Sequence, residues 1–237
     1  MRTERRGERR RGRDSFHRRV RLLGCVVLLA LGGSIPAAPG ATEPTVTEVL
    51  QAHCLAREAT ATLRARFAQT KVFEALGEED TSSGLLYYRR PDAVRWQYLA
   101  PDTSWTVLRG DSGWAVFPRI RQVQRFDLKR SRAEAVLSIV GFGSCGPGLE
   151  DAFQITLTSS PGGAPALALV PQKPELRAYF DRVDLTLDAR DSLPRQVVMH
   201  ETSGDTVRFE FIDLKRGVRV DEKLFEYEAP PGYEVVE

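Results

Sequence analysis

The chain has 237 residues, 42% of them hydrophobic and 28% charged, and a formal net charge of +2. Ten Arg against Glu4, Glu8 and Asp14 place +7 in residues 1–40, leaving 24 basic and 29 acidic groups, a net of −5, in residues 41–237. That size supports one cored domain without a metal or staple, the composition excludes disordered, collagen-like and multi-span membrane chains, and the acidic body argues against nucleic acid as a partner.

Residues 1–40 read as a signal peptide and residues 41–237 as the exported domain. Arg18, Arg19 and Arg21 precede the apolar run 22–31, and small residues with Pro36 and Pro39 follow it. A positive flank, a short apolar run and a small-residue exit form a secretory layout. The run falls short of the ~20 residues that a spanning helix needs. Cys25 stands before most of the run, so the stretch Leu22-Leu23-Gly24-Cys25 does not read as a lipidation site. Export leaves Cys54 and Cys145 in an oxidising compartment, where an even pair reads as one disulfide; two separate buried thiols are the alternative. His53 and His200 are the histidines left in the exported part. No Cys/His cluster has ligand spacing, so no metal is expected.

The first predicted element is a helix over 45–61. Thr45 or Thr47 can cap it, and Val46, Val49, Leu50, His53, Cys54 and Arg57 share one face at helical spacing. The period then changes to two: Leu63, Ala65 and Phe67 alternate with Arg64 and Arg66 in a strand continuing to Phe73. Residues 77–83 read as a polar hairpin loop. Short strands follow at 85–89, 94–98, 105–109, 114–117 and 122–128, with turns at Pro91-Asp92, Pro101-Asp102 and Gly110–Gly113. A second helix is expected over 129–140, with Ala133, Val136, Leu137 and Val140 on one face and glycines ending it. Strands return at 152–158, 166–170, 179–188, 195–201 and 206–214. The tail 224–227 reads as extended, stopped by Pro230-Pro231-Gly232.

The count is about eleven antiparallel strands and two helical interruptions, with no parallel βαβ rhythm and no repeat. Most strands show one apolar and one polar face, as in Val183/Leu185/Leu187 against Asp184/Thr186/Asp188. A curled sheet of this size hides its apolar face only if something covers it, and the helices are the available cover. The fold expected is mainly β with helices (α+β): an incomplete antiparallel β-barrel with a helical lid over an apolar cavity, the outline of a lipid-binding protein.

Nothing points to an enzyme. The exported part has no Gly-x-Ser-x-Gly, no glycine-rich phosphate loop and no His-Glu-x-x-His. His200 beside Glu201 on a strand reads as a surface residue, and no pair of carboxylates can be nominated. The stretch Gly141-Phe142-Gly143 with Gly146-Pro147-Gly148 lacks the Lys-Ser/Thr ending of a phosphate loop. No cofactor is expected.

Several stretches carry a resemblance. They are Phe67-Ala68-Gln69, the run Arg90-Pro91-Asp92-Ala93-Val94-Arg95-Trp96-Gln97-Tyr98, Pro101-Asp102 and Gly110-Asp111-Ser112-Gly113-Trp114. The helix 135–141 and the ending Leu224-Phe225 with Pro230-Pro231-Gly232 add to them. Over 45–236 the chain resembles the LolA family of periplasmic outer-membrane lipoprotein carriers. The resemblance implies a monomeric shuttle that takes acylated lipoproteins from an inner-membrane ABC transporter complex, LolCDE, and passes them to an outer-membrane receptor, LolB. It implies that Arg90 locks the lid through hydrogen bonds to helix backbone, a task suited to the fixed fork of a guanidinium.

Cavity or lid candidates are Val94, Trp96, Tyr98, Val107, Trp114, Leu137 and Val140. Leu167, Leu169, Leu185, Phe209 and Phe211 complete the set. Val94 stands where the family often has a larger apolar residue, and the Arg-rich leader is longer than usual. Two other readings use the same fold: a module that senses lipid or lipoprotein without carrying it, and an outer-membrane acceptor. The acceptor would need a lipidated Cys at its exported N-terminus, and none occurs before Cys54.

Overall fold

The computed structural model describes residues 44–128, 147–159, 163–227 and 229–237, all within the compact unit Glu43–Glu237. The expected signal peptide 1–40, the second helix at 129–140 with Leu137 and Val140, and Cys145 lie outside the described residues.

The first helix, α1 (Val46–Glu58), begins where the sequence predicts. Thr45 accepts from the Glu48 amide at 3.3 Å, and the Glu48 carboxylate accepts from the Thr45 amide at 2.8 Å. This reciprocal box satisfies two of the amides that a helix start leaves open. Val49, Leu50 and His53 form its buried face.

Strands then follow almost without interruption: β1 (Thr62–Phe73), β2 (Glu78–Arg89), β3 (Ala93–Ala100), β4 (Ser104–Arg109), β5 (Ser112–Phe117) and β6 (Gln122–Asp127). A short helix α2 (Pro147–Ala152) leads into β7 (Phe153–Ser159) and β8 (Pro165–Pro171). One turn of helix, α3 (Pro174–Arg177), precedes β9 (Phe180–Leu187), β10 (Pro194–Glu201), β11 (Thr206–Arg216) and the three-residue β12 (Glu234–Val236). They build one open sheet in the order β12-β6-β5-β4-β3-β2-β1-β11-β10-β9-β8-β7. Eleven of the twelve strands pair antiparallel; β12 runs parallel to β6. The expected incomplete barrel is therefore present as an unclosed sheet, with a twelfth strand that the sequence did not reveal.

Three boundaries differ from expectation. Residues 78–83 are not a loop: β2 starts at Glu78, and the β1–β2 hairpin runs to its tip with exposed polar side chains on both faces. The tail at 224–227 is not a strand. It begins as a 3₁₀ turn, Glu222–Phe225, whose start Asp221 caps by accepting from the Lys223 amide at 3.1 Å. A short α3 occupies the approach to β9, where Pro174 presets the first helical turn.

The chain curls between β1 and β11. Arg64 faces Lys215 but Arg66 faces Ile212, so β11 carries an extra residue, and Asp213 takes a left-handed φ of 52° there. A bulge of this kind bends its strand and increases local twist. The result gives the sheet a concave face under α1 and a convex face behind it.

Candidate functional site

From β7 to β3 the concave face is mainly apolar because the strand registers align the alternating side chains. Phe211, Phe67, Gly84 and Tyr98 face one another across β11, β1, β2 and β3. Phe209, Val197, Leu185, Leu167 and Leu157 form a second row across β11 to β7. Phe67 sits at the centre, 1% exposed. Its ring lies 5.1 Å from Trp96, 5.1 Å from Tyr98 and 6.2 Å from Phe209, and Trp96 meets Phe209 at 5.2 Å. Gly84 makes the room: a Cβ there would overlap the Gln97 carbonyl oxygen and come within 2.8 Å of the Phe67 ring. With α1 in place the face is filled by its own side chains.

One polar pair is set in this surface. The Tyr98 hydroxyl donates to Gln69 Oε1 at 2.6 Å, and burial pushes that phenol up to about 12. The quoted Phe67-Ala68-Gln69 stretch thus has a physical basis. Phe67 and Gln69 are two apart on one strand, so both point into the concave face.

The helix α1 closes over this face with Val49 and Leu50 in the common core and Val46 and Ala56 against it. Arg90 and His53 are among the side chains that fasten it. Arg90, just past β2, donates from Nη1 to the Glu58 carbonyl at 2.6 Å, at the C-terminal end of α1. Its backbone amide donates to Ala61 at 2.9 Å. A cation meeting the open carbonyls of a helix end is favoured by the helix dipole. Midway along α1, His53 Nδ1 lies 2.9 Å from the Ser192 carbonyl, in the loop between β9 and β10. Burial holds this imidazole below its usual pKa of 6.5. A cavity of about 340 Å³ opens beside that loop, lined by Leu193, Phe211 and Leu214 together with Asp188, Arg190, Asp191, Arg195 and Asp213.

The sequence-predicted lining residues divide between the two faces. Val94, Trp96, Tyr98, Leu167, Leu169, Leu185, Phe209 and Phe211 all belong to the core under α1. Val107 and Trp114 do not. They face each other across β4 and β5 on the convex side, in a separate cluster with Ala93, Trp105 and Phe225. Trp114 stacks on Tyr227 at 5.4 Å, so the C-terminal segment covers them. Arg89 and Arg95 hold that segment. Arg89 donates to Glu222 at 2.8 Å, and Arg95 donates to the Leu224 carbonyl at 3.2 Å while lying over Trp105. Cys54 lies on α1.

Phe67, Gln69 and Gly84 were missing from the lining expected of the sequence. The alternation around Phe67 was sufficient to include it. For Gln69 and Gly84, only the cross-strand partner gives the reason. His200 is a surface group on β10, with Nε2 2.8 Å from Asp184, which also pairs with Arg182 at 3.0 Å. Among the described residues, no three His, Cys, Asp or Glu side chains are grouped to hold a metal.

An open β-sheet whose apolar concave face lies under one fastened helix is the arrangement of a covered binding protein for apolar ligands. The outer membrane lipoprotein carrier protein LolA family matches residues 58–228, and the chain belongs to that family. An outer-membrane lipoprotein carrier protein of Alkalilimnicola ehrlichii is 29% identical over 215 residues, covering 91% of this chain and 95% of the relative. One from Methylococcus capsulatus is 28% identical over 176 residues, covering 74% and 81%. The solved structure of an uncharacterized conserved protein from Thermus thermophilus shares the fold, with a TM-score of 0.50 at 17% identity over 80% of this chain and 96% of that one.

Proposed function

We propose that this protein is a periplasmic carrier that takes the acyl chains of lipoproteins onto its concave face and moves them from the inner to the outer membrane. The observation that carries the reading is α1, seated on an apolar surface with Arg90 and His53 holding its end and its middle. The family and the names of its relatives support lipoprotein as the cargo.

Energetics make the exchange feasible. An acyl chain of about fifteen CH₂ groups gains about 0.8 kcal/mol for each one kept from water, roughly 12 kcal/mol in all. Val49 and Leu50, the apolar anchors of α1, contribute about 1.5–3 kcal/mol each. A chain therefore outweighs the helix on the same surface, while the returning helix lowers the barrier to letting go. Arg90, by holding the last carbonyl of α1, locks the closed form.

Residues 1–40 act in this reading as the signal peptide that delivers the chain to the periplasm. The supplier is an inner-membrane ABC transporter of the LolCDE type and the acceptor an outer-membrane receptor of the LolB type. Leu137 and Val140, outside the described residues, are assigned to a second lid segment on their sequence spacing alone. In this reading Cys54 and Cys145 form one disulfide, so that the two lid segments move together. The test is release of a lipoprotein from inner-membrane vesicles. Carrier function requires the cargo to appear in the soluble fraction in complex with this protein; cargo that stays with the vesicles refutes transport and leaves a sensing role.

A further inference from the structure

We propose that His53 is a second latch on α1, a positioning residue whose Nδ1–H ties the helix to the Ser192 carbonyl and whose protonation loosens the lid. This rests on the reading of α1 as a movable lid.

The geometry gives the helix an attachment on its buried face as well as one at its end. Arg90 holds only the final carbonyl of the helix. His53 fixes a point on the buried face, midway along the helix, which Arg90 at the C-terminal end does not reach. His53 lies five residues before Glu58, about 7.5 Å back along the axis, on the face that meets the core. Its side chain is 2% exposed, yet it is polar and satisfied by a bond of 2.9 Å. Because the partner is a carbonyl, Nδ1 carries the proton and Nε2 the lone pair.

The acceptor is itself held in place. Ser192 has a left-handed φ of 55°. Its amide donates to the Asp188 carbonyl at 2.9 Å, and the Asp188 amide donates to the Leu193 carbonyl at 2.8 Å. Asp188 and Asp191 carboxylates accept from the Arg190 and Leu193 amides at 2.8 and 3.1 Å. The loop thus presents the Ser192 carbonyl from a closed hydrogen-bonded turn rather than a free end.

The charges around His53 fix the direction of the pH response. On α1, Arg57 lies one turn further on and disfavours a second cation. In the loop that carries Ser192, the carboxylates of Asp188 and Asp191 are committed to loop amides, and Asp188 also lies 3.9 Å from Arg195. β7, which packs on α1, contributes no charged side chain. Burial is the largest influence and lowers the ring's pKa; the Ser192 carbonyl opposes it, and Arg57 reinforces it. The closed form therefore prefers the neutral ring, while a lifted helix lets Nε2 take a proton near pH 6.5. Stability of the closed lid is fully present above that value and declines as pH falls through it. Between pH 7.5 and 5.5 the open-to-closed ratio rises by up to about tenfold. Uptake of an acyl chain is favoured on the acidic side and release on the neutral side.

Hydrogen–deuterium exchange of residues 46–58, corrected for the intrinsic rate, tests this on the purified protein. In the unaltered chain, protection of α1 falls by up to about tenfold from pH 7.5 to 5.5. In His53→Asn the side-chain amide keeps a donor near the Nδ1 position but does not titrate, so α1 stays protected and flat with pH. Arg90→Leu lowers protection at both pH values and keeps the slope. A flat profile in the unaltered chain, or an unchanged slope in His53→Asn, overturns the latch. If His53→Asn fails to fold, a ¹H–¹⁵N titration of the imidazole in the unaltered protein decides: a pKa at or above 6.5 overturns it, and a lower one upholds it. Adding a triacylated lipopeptide at pH 7.5 separates the two layers of inference. If the lipopeptide binds without deprotecting α1, the lid reading itself fails. If α1 is deprotected but no pH slope exists, only the role of His53 fails.

Discussion

Replacing Arg90 with Leu removes one guanidinium bond, Nη1 to the Glu58 carbonyl at 2.6 Å, and leaves the backbone bond from Arg90 to Ala61 in place. Hydrogen bonds from a charged donor are worth about 1.5–3 kcal/mol. Arg90 is exposed, so solvent screening reduces the effect to about 1 kcal/mol, roughly fivefold in the closed-to-open ratio. The loss falls on the closed lid alone. Cargo competing with that lid is then held about fivefold more tightly, so loading is preserved and delivery slows. The assay follows a fluorescent triacylated lipopeptide from its complex with the protein into acceptor vesicles. Arg90→Leu should transfer about fivefold more slowly while loading at the normal rate. Arg90→Lys keeps the charge without the fork and should recover only part of the loss. Transfer at the normal rate by Arg90→Leu would remove Arg90 from the mechanism.

Other substitutions probe the surface beneath the lid. Gly84→Ala should cost about 1–3 kcal/mol as an overpacked core site, read as a lower Tm, because its Cβ meets the Gln97 carbonyl and the Phe67 ring; an unchanged Tm contradicts the packing described. Tyr98→Phe leaves Gln69 without its donor and should cost about 1–3 kcal/mol in urea unfolding. The bridge proposed between Cys54 and Cys145 closes a loop of about 90 residues and is worth roughly 4–5 kcal/mol. Reductant should lower the Tm accordingly, and two reactive thiols in the native exported protein would refute the pairing.

Much of this fold could be read from the sequence because its elements alternate cleanly. Thr45 with the face Val46, Val49, Leu50 and His53 announced α1, and Val183/Leu185/Leu187 or Val207/Phe209/Phe211 announced strands with one buried face. Alternation separates a strand's side chains into two sets but does not say which set turns inward. In β4 both sets carry an apolar residue, with Trp105 and Val107 on one side and Leu108 beside Ser104 and Thr106 on the other. Leu108 proved to be the concave residue, and Val107 with Trp114 went under the C-terminal segment. The deciding partners, Phe225 and Tyr227, lie more than a hundred residues away in a segment without periodicity. β12 was invisible for a similar reason, since three residues carry no period. The polar tip of the β1–β2 hairpin extends past the core, so nothing apolar marked it as strand. His53 showed its place on the helix face but not its partner, because Ser192 is brought to it by the fold alone.

The chain's three tryptophans offer the most direct test, since they fall on opposite faces. Trp96 belongs to the concave core, while Trp105 and Trp114 lie under the C-terminal segment on the convex side. A lipopeptide with brominated acyl chains quenches indole fluorescence only on contact. With Trp105 and Trp114 replaced by Phe, the remaining Trp96 emission should fall on loading and recover on release to acceptor vesicles. With Trp96→Phe alone, the convex pair should stay bright. Quenching of the convex pair with Trp96 unaffected would place the acyl chain on the wrong side of the sheet and contradict the account.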